Sequence, residues 1–251
     1  MVEPLSTQSQ QPRSNMLSDP QSALEEFIRD PSYPCVGAKS ALGKGQLTTY
    51  VARSIDSAWN DVDIHDQLLQ FAWRYQQDPM LFTSFAVIFE GPEDLEEPRF
   101  EQHLWDRIQS LTEKDSWRGQ TPDPRVSADP DDPHFSLSFG GEAFFVVGLH
   151  PKASRPARRF LYPTMVFNLH DQFEALRAQN RYEKLRGSIL QRDLELAGSI
   201  NPMLARHGTI SEARQYSGRK VPDGWSCPYH RKDAPTAANP LALEEQHPDG
   251  R

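Results

Sequence analysis

The apolar residues of this chain change period several times, which excludes a fold built from helices alone or strands alone. Leu24, Phe27 and Ile28 share one face of a predicted helix over Ser22–Arg29, which Pro31 stops. Gln46–Ala52 fits a short helix or a strand equally. Ile64, Leu68, Phe71, Ala72 and Tyr75 define a helix over Asp63–Gln77, with Pro79 beyond its end. Phe82–Phe89 (FTSFAVIF) is aromatic and β-branched, is bounded by Gly91-Pro92, and reads as a strand. Pro98–Thr112 returns to helical spacing through Phe100, Leu104, Ile108 and Leu111. His134–Phe139 and Ala143–Leu149, separated by Gly140-Gly141-Glu142, read as a hairpin. Met165–Phe167 is a brief strand at most, and Leu169 to about Leu196 is helical with a break near Gly187. Strands and helices that do not alternate strictly predict a single α+β domain, a small, mainly antiparallel sheet packed with several helices.

The periodic region is framed by segments without one. Residues 1–20 are rich in Gln, Ser and Pro, and residues 232–251 have the same character, so a disordered leader and a flexible tail are expected around a domain at 21–231. Within the domain the Pro/Asp-rich stretch Gln120–Pro133 is short enough to be a surface loop. The 27 Lys and Arg against 35 Asp and Glu leave a net charge of -8, which argues against a broad nucleic-acid surface or an anionic membrane as partner. No apolar run approaches a bilayer span, and the N-terminus lacks an apolar signal core, so the expected location is the cytoplasm. The two cysteines, Cys35 and Cys227, form neither a disulfide framework nor a Cys-x-x-Cys knuckle.

Chemistry is concentrated in three places. After the hairpin, His150 stands at a strand end just before the cations Lys152, Arg155, Arg158 and Arg159. A histidine on a strand edge can offer a ring nitrogen to a metal, and clustered guanidinium groups hold carboxylates or phosphates bidentately, although a solvated turn has the same composition. A second patch runs from Ser211-Glu212 to Arg219 and on to Trp225-Ser226-Cys227-Pro228-Tyr229, where the aromatic residues and Cys227 equally fit a cap on the core. The third, Tyr33 to Ser40, lacks the spacing of a phosphate loop, and its Cys35 is instead suited to ligate a haem iron as thiolate. The other histidines show no zinc or non-haem-iron spacing, and His170 reads as a helix-start residue.

Taken in order, Tyr33-Pro34-Cys35-Val36, Gly148-Leu149-His150-Pro151, Ser154-Arg155, Arg158-Arg159-Phe160 and Val166-Phe167-Asn168-Leu169-His170-Asp171-Gln172-Phe173 resemble the YqcI/YcgG family. The likeness continues through Arg192-Asp193, Gly198 to Leu204, Glu212 to Arg219 and Trp225 to Tyr229, and so spans nearly all of residues 22–230. Some members of that family resemble haem-dependent N-hydroxylases that oxidise the guanidine of arginine or arginine-derived compounds in the D-cycloserine and guanitoxin pathways of secondary metabolism. The resemblance implies haem b, with His150 as axial ligand and Cys35, Cys227 and His134 as competing ligands. It implies Phe144, Phe145, Phe160 and Trp225 around the macrocycle and Arg155, Arg158 or Arg159 at the propionates. Adjacent strand positions point to opposite faces, so only one of Phe144 and Phe145 can face a given pocket. Glu142, Asp193 and Glu212 are the carboxylates expected to meet a guanidinium, each with a structural ion pair to an arginine as the competing role. The oxidant would be dioxygen or peroxide. With dioxygen an external reductase is implied, since no flavin or Rossmann signature is present. The alternative from another class is a non-catalytic haem or small-ligand binding or sensor protein.

Overall fold

The computed structural model describes residues 19–201, 203 and 208–230. Nearly all of the predicted leader and the whole predicted tail lie outside the described residues. Five strands form one sheet in the order β1-β2-β5-β4-β3. They are β1 (Leu47–Ala52), β2 (Ser84–Phe89), β3 (Leu137–Phe139), β4 (Glu142–Leu149) and β5 (Thr164–Leu169). β1 and β2 run parallel, and every other pairing is antiparallel. Among the described residues seven α-helices accompany the sheet: α1 (Pro20–Arg29), α2 (Val36–Gly43), α3 (Asp61–Gln77), α4 (Glu97–Trp117), α5 (His170–Ala178), α6 (Tyr182–Ala197) and α7 (Ala213–Tyr216). The architecture is a single-domain α+β fold.

The two sheet faces bury different partners because side chains alternate along each strand. On one face Phe85, Val87, Phe144, Val146 and Phe167 join Ile64, Leu68 and Phe71 of α3 and Phe100, Leu104 and Ile108 of α4 in the larger core. On the other, Ala86, Ile88 and Leu149 pack with Ala23, Leu24 and Ile28 of α1 and with Phe160 and Tyr162. The same second face carries Ser84, Asn168, Phe145 and Val147, since Ser84 stands opposite Asn168, Asn168 opposite Phe145, and Val166 opposite Val147.

Several boundaries differ from the sequence reading for identifiable reasons. α1 begins at Pro20, because Asp19 accepts the Ser22 N–H at 3.0 Å and proline fits the first helical turn. Gln46–Ala52 resolves as a strand. β2 begins at Ser84 rather than Phe82, whose φ of 70° takes it out of the pleat. Gly140 and Gly141, at φ 58° and 82°, form the two-residue hairpin turn, so Glu142 belongs to β4, and β3 is only three residues long. The brief strand expected at Met165–Phe167 is the six-residue β5 beside the centre of the sheet. The helix from Leu169 breaks at Asn180 (φ 55°) rather than near Gly187, which lies inside α6. α2, unrecognised in the sequence, is capped by Cys35, whose Sγ accepts the Ala38 N–H at 3.4 Å.

Candidate functional site

The second sheet face is only partly covered by α1, and beyond it a cavity of about 280 Å³ opens. Ser84, Phe145, Val147 and Asn168 form its floor. Phe173 and Leu176 of α5 and Tyr182, Leu185 and Ile189 of α6 form an apolar roof. Tyr33, Cys35 and Ala38 close one side, Arg155 and Arg158 of the 3-10 turn Pro156–Arg158 and its approach a second, and His170, Glu212 and Gln215 a third. The lining fits a small-molecule site, mostly apolar with a few convergent polar groups, and the volume is just below the usual ~300–1,000 Å³.

The polar groups are held from behind. Ser84 Oγ donates to Asn168 Oδ1 at 2.8 Å, which fixes the amide on the floor. Gln172 accepts the Thr83 N–H at 2.9 Å and donates to the Thr83 carbonyl at 2.6 Å, tying α5 to the start of β2. Glu212 is buried, with Oε2 3.1 Å from Ser136 Oγ and 3.5 Å from the Tyr216 hydroxyl, and with Oε1 3.8 Å from His170 Nε2. Arg158 donates to the carbonyls of Gly148 (3.0 Å), Tyr216 (3.3 Å) and Gln215 (3.3 Å) and pairs with no carboxylate among the described residues. Burial pulls its guanidinium below the ordinary value, opposed by neighbouring Tyr33, Cys35 and Asp193. Burial likewise raises the Cys35 thiol, while the N–H groups of Ala38 and Gly37 and the charge of Arg158 act the other way. Arg155 reaches across to α6, where it pairs with buried Asp193 and donates to Ser199 Oγ at 3.0 Å.

A family model describing the YqcI/YcgG family matches residues 24–230, a range that contains every residue lining this cavity. The chain belongs to the YqcI/YcgG family. No curated protein and no solved structure matches it significantly.

In this YqcI/YcgG protein the cavity gathers Cys35, Phe145, Arg155, Arg158, Asp193 and Glu212 from the residues singled out in the sequence, and it leaves the others elsewhere. His150 is turned to the opposite sheet face, stacked on Phe100, and its pKa is lowered to about 4 by burial. Phe144 lies on that face too, inside the larger core. Phe160 packs with Phe27 and Tyr162 beneath α1. Arg159 folds back onto the carbonyls of Ala153 and Ser154. Glu142 pairs with Arg125 at 3.1 Å, and Trp225 lies against Trp105. Cys227 is buried in the larger core, its thiol pushed up to about 12 by burial, and His134 lies beside Asp132 at 3.3 Å.

The sequence reading missed Ser84, Asn168, Gln172 and the roof residues, and it took His170 for a helix-start residue alone. His170 does start α5, and it also lines the cavity. The signal available was the run Val166 to Phe173, which carries five lining residues on one strand-to-helix junction. No described helix is long and apolar enough to cross a membrane. Among the described residues no three His, Cys, Asp or Glu side chains converge as a metal-ion site.

Proposed function

We propose that this cavity binds haem b and that the protein inserts one oxygen atom into an N–H bond of arginine or an arginine-like guanidine. The observation that carries this reading is the composition of one cavity wall set. It joins apolar surfaces, a guanidinium without a carboxylate partner among the described residues, two types of axial donor and a buried carboxylate.

The residues fit the group. Haem iron needs only an axial donor from the protein, and Cys35 and His170 both line the cavity. Val147 on the floor and Leu185 and Ile189 of α6 offer apolar contact to a flat macrocycle, bordered by Phe145 and Phe173, which meet each other edge to face with centroids 6.4 Å apart. Arg158, bonded only to carbonyls, is the cation best placed for a propionate, because Arg155 is occupied by Asp193. The axial role passes from His150 to these two candidates. Bound haem would supply the cleavage of the O–O bond.

The chain's own residues would orient the substrate. Glu212, held by Ser136 and Tyr216, is the carboxylate suited to a planar cation. With dioxygen the balance is one N–H, one O₂, two electrons and two protons giving N–OH and water, the electrons coming from an external reductase. With hydrogen peroxide one oxygen is inserted and the other leaves as water, with no external electrons.

The test is to load the purified full-length protein with hemin, record its absorption, titrate arginine, and weigh the product after adding peroxide or a reductase. A product heavier by one oxygen is expected. The ferrous–CO spectrum of Cys35→Ser and His170→Gly separates thiolate from imidazole ligation. Failure to take up haem overturns the reading, and haem uptake without an arginine response or product identifies a non-catalytic haem protein or sensor.

A further inference from the structure

The sheet face that floors the cavity extends beneath α1 and α2, where a second void of about 50 Å³ lies. Its walls are Leu24 and Ile28 of α1, Leu47 of β1, Val147 and Leu149 of β4 and Val166 of β5. Ala86, opposite both Thr49 and Val166 in register, gives this part of the face only a methyl group, so the helices above meet a shallow sheet. The remaining lining residues, Tyr33, Cys35, Ala38, Ser84 and Asn168, also line the main cavity, so the two spaces share a boundary.

We propose that this chamber is a binding site for a small apolar gas, and that it feeds dioxygen to the main cavity. The choice of dioxygen as the natural occupant rests on the proposed oxygen insertion. The apolar character of the site does not.

The volume is several times the ~10–15 Å³ that one water-sized sphere requires, so a diatomic molecule has room. A water there needs ~2–4 polar partners. At the shared boundary Ser84 Oγ bonds Asn168 Oδ1 at 2.8 Å and Cys35 Sγ accepts the Ala38 N–H at 3.4 Å, which leaves the Tyr33 hydroxyl as the one side-chain polar group there without a hydrogen bond among the described residues, fewer than a water needs. An apolar solute forfeits no hydrogen bonds on entering and restores dispersion contacts that the aliphatic walls otherwise lack. The cavity next door carries Glu212, Arg155, Arg158 and Asp193, so a charged substrate and an apolar co-substrate are sorted into adjoining spaces by their chemistry.

The experiment uses the ligand-free full-length protein, so it is independent of haem uptake. Crystals are pressurised with xenon, and methyl relaxation is measured by NMR in solution equilibrated with dioxygen and then with nitrogen. Xenon density is expected among Leu24, Val147 and Val166, with extra paramagnetic relaxation at the Val147 and Val166 methyls relative to Ile64 and Leu68 in the solid core. Leu47→Phe, on the edge strand, and the milder Val166→Leu should each remove the xenon and cut the excess relaxation at least about twofold by filling the space. An empty or water-filled chamber under xenon, or methyls no more relaxed by dioxygen than those of the core, overturns the proposal. Xenon and dioxygen binding in a protein that takes up no haem upholds the gas site and removes the proposed oxygenation.

Discussion

His150 stacks on Phe100 with ring centroids 4.3 Å apart and planes 18° from parallel, on the sheet face opposite the cavity. The ring is almost wholly buried, and among the described residues its Nδ1 has no hydrogen-bond partner. Desolvation of the imidazolium therefore governs its titration, lowering the pKa to about 4. Its folded pKa lies below the unfolded value, so the unfolded chain binds the extra proton first. The stability is intact above about pH 6.5 and is lost as the pH falls towards 4. Between pH 7 and 4.5 this group should remove about 2–3 kcal/mol. His150→Phe, which keeps the stack and cannot protonate, should show a correspondingly smaller drop in urea midpoint over that range and unchanged hemin absorbance. An equal drop in both proteins would place the acid sensitivity elsewhere.

Gly148 precedes this pair by one strand repeat and faces the same way. A Cβ there would lie 2.7 Å from Phe100 Cε1 and 2.8 Å from Leu104 Cδ1, closer than carbon atoms pack. Gly148→Ala should cost about 1–3 kcal/mol through overpacking, read as a lower denaturation midpoint with an unchanged slope. Ligand binding to the folded protein should persist, since the cavity is on the other side. A variant as stable as the parent would mean that α4 yields without cost.

The parity that separates these residues from the cavity was legible in β4. Phe145, Val147 and Leu149 share one face, while Phe144, Val146, Gly148 and His150 share the other. The identity of the cavity face was not legible. Helices cover both faces, so β4 reads as one apolar run and gives no polar stripe to mark a side. β5 was nearly lost for a related reason: Thr164 and Asn168 flank its apolar middle, Thr164 bonding locally to the Tyr162 carbonyl and Asn168 accepting across the sheet from Ser84. α2 lacks an apolar period, and its start depends on Cys35, an uncommon cap. The long helices α3 and α4 were plain because their apolar stripes face a core directly. Arg155, Arg158 and Glu212 were found from residue type in the resemblance, and their partners came only from the fold.

The Arg155–Asp193 pair holds the roof. α6 is 16 residues long, and Asp193 is its only fully buried residue, so this ion pair and the Arg192 contacts to the carbonyls of Pro31 and Tyr33 help anchor a helix whose other residues are half-buried or exposed. Arg155→Met would leave the Asp193 charge buried and unpaired, a loss of about 3–5 kcal/mol in such sites. Faster amide exchange confined to α6 and its neighbours is expected, with hemin bound more weakly. Adding Asp193→Leu should recover much of the loss, because the stranded charge is then gone. Additive losses in the double variant would show that the two side chains act independently.

Glu212, Asp193 and Glu142 were three equivalent carboxylates in the sequence, and the fold separates their roles. Glu142 pairs with Arg125, away from the cavity, and Asp193 pairs with Arg155. Glu212 combines a place on the cavity wall with contacts to the Ser136 and Tyr216 hydroxyls and, at 3.8 Å, His170 Nε2. Glu212→Gln keeps the shape and removes the charge. It should weaken arginine binding to the haem-loaded protein by about 10- to 100-fold, the ~1.5–3 kcal/mol of a charge-assisted hydrogen bond. Hemin affinity should be nearly unaltered, and Glu142→Gln should bind arginine as the parent does. A neutral analogue such as citrulline, which offers no cation to the carboxylate, should distinguish the parent from Glu212→Gln far less. Equal losses for arginine and citrulline would show that Glu212 shapes the pocket and does not read the substrate's charge.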